Sequence, residues 1–162
     1  MTIWLLKEVA EEMHRQGRRW APLETGGLLL GWRDGDDRIV AGLIGAGDKA
    51  VHARHAFEPD HEFQMEELGR VFTRTNGDLD YLGDWHTHPA GYVAMSWRDR
   101  RTLRAIGRTV GDALMVILDP GPDRAIIGGW RHSGERSYFR RIRRVDIIRF
   151  LAPDDWPCHL QC

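Results

Sequence analysis

A chain of 162 residues, 42% hydrophobic, 29% charged and of formal net charge −1, can bury a core of its own without metal or disulfide staples. Cysteine occurs only at Cys158 and Cys162, which excludes a disulfide framework. The opening Met1-Thr2-Ile3-Trp4-Leu5-Leu6-Lys7-Glu8 turns charged before a signal peptide or membrane span can build, so the expected location is cytoplasmic.

Apolar Leu5, Leu6, Val9 and Met13 recur at helical intervals and predict a first helix within residues 4–16. Two apolar runs follow, Gly26 to Trp32 and Arg38 to Ile44, on either side of Asp34-Gly35-Asp36-Asp37. They predict a hairpin. Pro59-Asp60 opens a second helix with Asp60 as N-cap and Phe63, Leu68, Val71 and Phe72 on its buried side, closed by Asn76-Gly77. Leu79 to His86 reads as a strand running into a loop, and Ser96 starts a third helix that lasts to about Val110. Ala113 to Leu118, Ala125 to Trp130 and Ser137 to Ile142 read as strands. Helices and strands mix without strict alternation, which predicts an α/β layered sheet with some antiparallel pairing. We expect one domain over residues 1–152 and a tail over residues 153–162.

Charge is uneven along the chain. Residues 1–95 hold 10 basic and 16 acidic side chains, whereas residues 96–149 hold 13 arginines and 6 acids. A basic half can meet nucleic acid or an acidic protein, or it can face the acidic half of its own fold. The arginines are spread over a helix and strands without an aromatic stacking pattern. That favours the last reading and weighs against nucleic acid as a partner.

The chemistry concentrates in Gly83-Asp84-Trp85-His86-Thr87-His88-Pro89 and Ser96-Trp97-Arg98-Asp99. His86 and His88, two apart on a strand, point their rings to one side. Such a pair is half of a zinc site, and it also occurs where no metal binds. Ser96 with Asp99 three residues on is a variant of the capping box, and a helix anchored there can turn Asp99 towards the histidines. Two imidazoles and one carboxylate then suit Zn²⁺ with a position left open, the catalytic arrangement. No His-Glu-x-x-His pattern supplies a base, so Glu24, in Leu23-Glu24-Thr25-Gly26-Gly27 just before an apolar strand, is the candidate.

Glu24, His86-x-His88-Pro89 and Ser96-x-x-Asp99, together with Glu24-Thr25-Gly26-Gly27-Leu28-Leu29-Leu30-Gly31, resemble the JAMM (MPN+) metalloprotease signature in residue type and spacing. The resemblance implies a JAB/MPN fold, a mixed curved β-sheet flanked by helices. It further implies one Zn²⁺ per chain held by His86, His88 and Asp99, with Glu24 as general base and Ser96 as donor to the developing oxyanion. Leu82 to Pro89 and Phe57-x-Pro59-Asp60 look most like the compact bacterial JAB peptidases of CBASS-type antiviral and related conjugation operons. That likeness implies an isopeptidase that cuts after the C-terminus of a ubiquitin-like modifier or conjugated protein, with an E1/E2-like protein as a possible operon partner. The substrate groove would be formed by the core and residues 90–95.

Three alternatives share these residues: a peptidase acting on sulfur-carrier adducts, a non-catalytic MPN scaffold, and a DNA-associated protein similar to the RadC group. Outside the signature, His52 and His55 read as surface groups or as supports behind the site. Trp85 and Trp97 read as packing rather than as a substrate platform. Cys158, His159 and Cys162 read as part of a frayed terminus rather than a metal site.

Overall fold

The computed structural model describes residues 1–133, 142–157 and 160. In chain order the elements are β1 (Thr2–Leu6), α1 (Lys7–Trp20), β2 (Gly26–Asp34), β3 (Asp37–Ile44), β4 (Val51–Ala53), β5 (Ala56–Glu58), α2 (His61–Arg74), β6 (Asp80–Thr87), α3 (Trp97–Val110), β7 (Ala113–Asp119), β8 (Ile126–His132) and β9 (Ile142–Phe150). Seven strands close into a curved mixed sheet in the order β1-β3-β2-β6-β7-β8-β9, and β9 returns to β1. Pairs β1–β3, β1–β9 and β6–β7 are parallel and the others antiparallel, the mixture expected of an α/β layered sheet. The small hairpin β4–β5 stands apart from this sheet.

Strand alternation distributes the core. In β7, Leu114, Val116 and Leu118 join a cluster with Ile3, Leu5 and Met13 under α1, while Ala113, Met115 and Ile117 pack with Leu103 under α3. Strand β2 divides likewise, Leu29 facing the α1 cluster and Leu28 and Leu30 the cluster under α2 with Val71 and Leu79. Each such fully buried aliphatic side chain contributes about 1.5–3 kcal/mol. Because helices cover both faces of the central strands, these read as continuous apolar runs.

The first helix differs from its expected place. Leu5 and Leu6 end strand β1, and α1 begins only at Lys7. The helical spacing of Leu5, Val9 and Met13 coincides with an alternation over Thr2–Leu6, in which Ile3 and Leu5 are buried between β3 and β9. Tertiary pairing decides the conformation there. The Asp60 cap is present, its carboxylate accepting the Phe63 N–H at 3.2 Å, but Phe72 is half-exposed while Gln64 takes the buried position. Gln64 stays inside because its amide donates to the Gly45 carbonyl at 2.9 Å. The expected strand Ser137–Ile142 lies outside the described residues except for Ile142, where β9 begins. Cys158, His159 and Cys162 also lie outside them.

The arginine-rich half pairs with the acidic half only in part. Arg131 bridges Asp112 (Nε to Oδ1, 2.6 Å) and Asp36 (Nη1 to Oδ1, 2.6 Å), and Arg38 also binds Asp112. Arginines 100, 101, 104 and 108 of α3 are instead exposed. The expectation that the basic half simply faces the acidic one is corrected for this helix.

Candidate metal centre

Strand β6 delivers two imidazoles to one side because its side chains alternate. His86 and His88 face the site, and the intervening Thr87 is fully buried on the other side. The Thr87 hydroxyl accepts the Thr25 N–H at 3.0 Å, and the Thr87 N–H donates to the Thr25 carbonyl at 2.8 Å. The start of β2 is thereby clipped to the end of β6, with Gly26 opposite His86. Glycine is required at this junction: a Cβ on Gly26 would lie 2.3 Å from the Trp85 carbonyl oxygen, and one on Gly27 would lie 1.9 Å from that of Ile44. The close approach holds Glu24, two residues earlier, beside the histidines.

Asp99 arrives from the first turn of α3. Ser96 caps that helix reciprocally: its hydroxyl accepts the Asp99 N–H at 3.2 Å, and the Asp99 carboxylate accepts the Ser96 N–H at 2.6 Å. The capped turn places Asp99 Oδ1 3.3 Å from His86 Nε2 and Oδ2 3.6 Å from His88 Nε2, while the two Nε2 atoms are 3.1 Å apart. His88 Nδ1 lies 2.9 Å from the Tyr92 carbonyl oxygen, so this nitrogen donates and Nε2 carries its lone pair inward. Two nitrogens and a carboxylate oxygen within 4.8 Å of one another fit a divalent cation of zinc's character. Imidazole lone pairs 3.1 Å apart repel unless a proton or a cation lies between them. The donor set therefore fits the implied metal.

Glu24 is held at its backbone. Its N–H donates to the Ala53 carbonyl at 2.8 Å, and its carbonyl lies 2.9 Å from His52 Nδ1. The His52 ring stacks on Trp20 with centroids 3.5 Å apart, so α1 and the β4–β5 hairpin together fix the Glu24 loop. Burial pushes the Glu24 carboxyl above its ordinary value, Asp99 adds to the rise, and His86, His88 and His55 oppose it. For Asp99 burial also acts upward, but hydrogen bonds from His86 and Ser96 and the His86 charge outweigh it and hold the carboxyl well below the usual range. Two carboxyls pushed in opposite directions suit different tasks, one able to exchange a proton and one fixed as an anion.

All five candidate residues line one cleft of about 950 Å³. Pro89, Ala90 and Tyr92 border it, as do Ala56, Phe57 and Glu58 of β5, an element without a clear sequence signal because its strand is three residues long. Asp84 is a further lining residue, on the same strand face as His86 and His88, two and four residues on. Its Oδ1 accepts the Tyr81 hydroxyl at 2.7 Å, and burial pushes its carboxyl up. The alternation Asp84, His86, His88 was the signal that could have found it. Trp85 is buried in the core as expected, whereas Trp97 is 67% exposed at the lip of the cleft, which corrects its reading as packing.

Residues 6–133 match the family of prokaryotic homologs of the JAB domain. A protein of Sinorhizobium fredii named as a probable metalloprotease is 38% identical over 79% of this chain and 82% of its own length. A CD-NTase/cGAS isopeptidase of Escherichia coli is 32% identical over 59% of this chain and 60% of its own, and one of Vibrio cholerae is 30% identical over 67% of each. A solution structure of a Desulfitobacterium hafniense protein, 23% identical, superposes with a TM-score of 0.72 over 95% of this chain and 96% of the other, a likeness of fold. Among the described residues no helix is long and apolar enough to cross a membrane.

Proposed function

The chain belongs to the prokaryotic JAB-domain family, a metallopeptidase family, and from that membership we propose that it is a zinc-dependent isopeptidase acting on protein conjugates. The observation that carries this reading is the convergence of His86, His88 and Asp99 within 4.8 Å, in the cleft that Glu24 and Ser96 also line. Zinc held by those three side chains supplies Lewis acidity to the amide carbonyl and to water.

The chain's own residues do the rest. The Glu24 carboxylate takes a proton from the attacking water as its oxygen bonds to the carbonyl carbon, and returns it to the amine as the C–N bond breaks. Water and amide thus give a carboxylic acid and an amine, and the acid's proton passes to the amine to leave a carboxylate and an ammonium. The raised carboxyl of Glu24 suits both proton transfers, since a base too weak would not take the proton and one too strong would not release it. The Ser96 hydroxyl uses its oxygen as the helix cap and keeps its own proton to donate to the developing oxyanion.

The substrate is an extended chain end, that of a ubiquitin-like modifier. Strand β5 pairs only with β4 among the described residues and borders the cleft, so its free edge can take a strand by main-chain hydrogen bonds. Relatives named CD-NTase/cGAS isopeptidases support a conjugated protein as the target and a place in an antiviral conjugation system.

The test uses zinc-loaded protein with linear and lysine-linked fusions to a glycine-ended ubiquitin-like domain. Cleavage after the last residue of the domain, stopped by chelator, is expected. Glu24→Ala and Glu24→Gln should keep metal and fold yet lose nearly all turnover. Failure of the metal-loaded protein to cut any such fusion would leave a binding scaffold as the better account.

A further inference from the structure

We propose that the solvent face of α3 is the docking surface for the folded body of the protein substrate, which presents an acidic patch to it. This deepens the isopeptidase reading and rests on it. Helix α3 turns Asp99, Leu103, Ile106 and Gly107 towards the fold. Opposite them, at spacings of four, three and four, stand Trp97, Arg101, Arg104 and Arg108, a single stripe about 16 Å long. All four are exposed, and the three arginines hold no carboxylate among the described residues, unlike Arg131 in the same half of the chain. Like charges three and four apart on a helix repel, by a few tenths of a kcal/mol per pair. Among the described residues no carboxylate offsets that repulsion, and an acidic surface laid along the stripe does.

The position of the stripe identifies its occupant. Trp97 heads it and also lines the cleft, so a protein whose chain end lies in the cleft puts its folded body over this lip and onto α3. Tryptophan and arginine are the side chains that dominate protein–protein contacts when desolvated. A nucleic acid would need the track of cations to continue, and the cleft that the stripe leads into mixes Glu24, Glu58 and Asp84 with Arg54 and Arg98.

The test compares two forms of one ubiquitin-like domain with a glycine-ended scissile tail: one with an acidic surface cluster, one with those carboxylates changed to amides. For wild-type protein, kcat/KM should favour the acidic form, and rising salt should erase the preference. Arg101→Glu/Arg104→Glu/Arg108→Glu should lower kcat/KM on the acidic form by roughly tenfold, through KM. The tail peptide alone should be cut at the wild-type rate. The triple Arg→Gln variant, free of reversed charge, should lose less in the same direction and keeps the test open if the Glu variant folds poorly. Equal cutting of both forms by wild type, or equal losses on peptide and domain, overturns the proposal. So does stripe-dependent binding of a short DNA duplex without binding of the acidic domain. A binding arm needs no turnover: acidic domain alone with Glu24→Ala protein, followed by fluorescence anisotropy. If metal-loaded wild type cuts neither peptide nor domain, the isopeptidase reading fails. The binding arm then decides the surface by itself: loss of binding in the triple Glu variant supports it, and no binding to either protein overturns it.

Discussion

Ser96 and Asp99 hold each other across one helical turn, and the exchange uses only part of each side chain. Asp99 Oδ2 accepts the Ser96 N–H at 2.6 Å, which leaves Oδ1 3.3 Å from His86 Nε2. Ser96 Oγ accepts the Asp99 N–H at 3.2 Å, so its lone pair serves the cap while its hydroxyl proton stays near the Asp99 carboxyl, which it helps to hold low. One capping box thus turns the Asp99 carboxylate towards the two histidines and places the Ser96 hydroxyl at the same helix end.

This double use separates in variants. Ser96→Ala should cost about 0.5–2 kcal/mol of stability as a lost cap. It should lower kcat by roughly 10²–10³ if the hydroxyl serves the oxyanion. Ser96→Asp keeps an N-cap acceptor but removes the donor and adds a like charge, so a folded, metal-bound and nearly inactive protein is expected. Thermal melting, metal content and steady-state kinetics check the three parts. An active Ser96→Asp enzyme would reduce Ser96 to a cap.

Replacement of a ligand should separate metal from fold. His86→Ala, His88→Ala and Asp99→Asn should each lower bound zinc after dialysis to well under one per chain and abolish turnover. The seven-strand sheet does not depend on these side chains, so far-UV circular dichroism should be unchanged in the two histidine variants. Elemental analysis is the direct check. Full zinc occupancy in all three variants would place the metal elsewhere.

Much of this was legible in the chain because the informative residues are local. The turn Asp34-Gly35-Asp36-Asp37, the Asp60 cap and the Ser96–Asp99 pair are set within four residues, and each is formed in the structure. The α/β class with some antiparallel pairing followed from the order of elements, and the curved mixed sheet from the family resemblance. What escaped depends on distant neighbours. Leu5 and Leu6 are strand residues because β3 and β9 flank them, a relationship invisible within residues 1–16. The β4–β5 hairpin is too short to show a period, and its role comes from His52 reaching Glu24. Trp97 follows Ser96 on the first turn of α3, and only the placement of that turn beside the cleft shows that its ring faces solvent.

His52 acts through Glu24. Its Nδ1 hydrogen bond to the Glu24 carbonyl and its stack on Trp20 fix the loop that carries the carboxylate. His52→Ala should lower kcat by roughly tenfold to a hundredfold, the range for a base displaced by up to about 1 Å. Zinc content should stay at wild type, and His52→Asn, which can still donate to the carbonyl, should recover part of the loss. A His52→Ala enzyme with wild-type kcat would show that Ala53 alone suffices to hold Glu24.

Asp112 should contribute to the acid side of the stability profile. Burial opposes its ionisation, but hydrogen bonds from Arg131 and Arg38, with their charges, outweigh this and hold the carboxyl below its ordinary value. A carboxyl with a depressed folded value stabilises fully above the unfolded pKa of about 3.9, and this stability is lost as pH falls through the folded value. The wild-type melting temperature should therefore drop most steeply below about pH 4. Asp112→Asn removes that contribution and leaves Arg38, only 5% exposed, facing a neutral amide. We expect a loss at pH 7 of up to about 3 kcal/mol, the low end for a broken buried pair because Asp112 keeps some solvent contact. The variant and wild type should converge only once the pH has fallen below the depressed folded value, where both carry a neutral group at this position. Against its burial, Asp99 is depressed by His86 and Ser96, and Asp36 and Asp37 are also depressed, the first chiefly by a hydrogen bond from Arg131 and the second by one from Trp4, so an acid limb should persist in the variant. Melting curves from pH 2 to 8 decide it. A constant gap between the two proteins over that range would show that Asp112 acts as a packed polar group rather than as a charge.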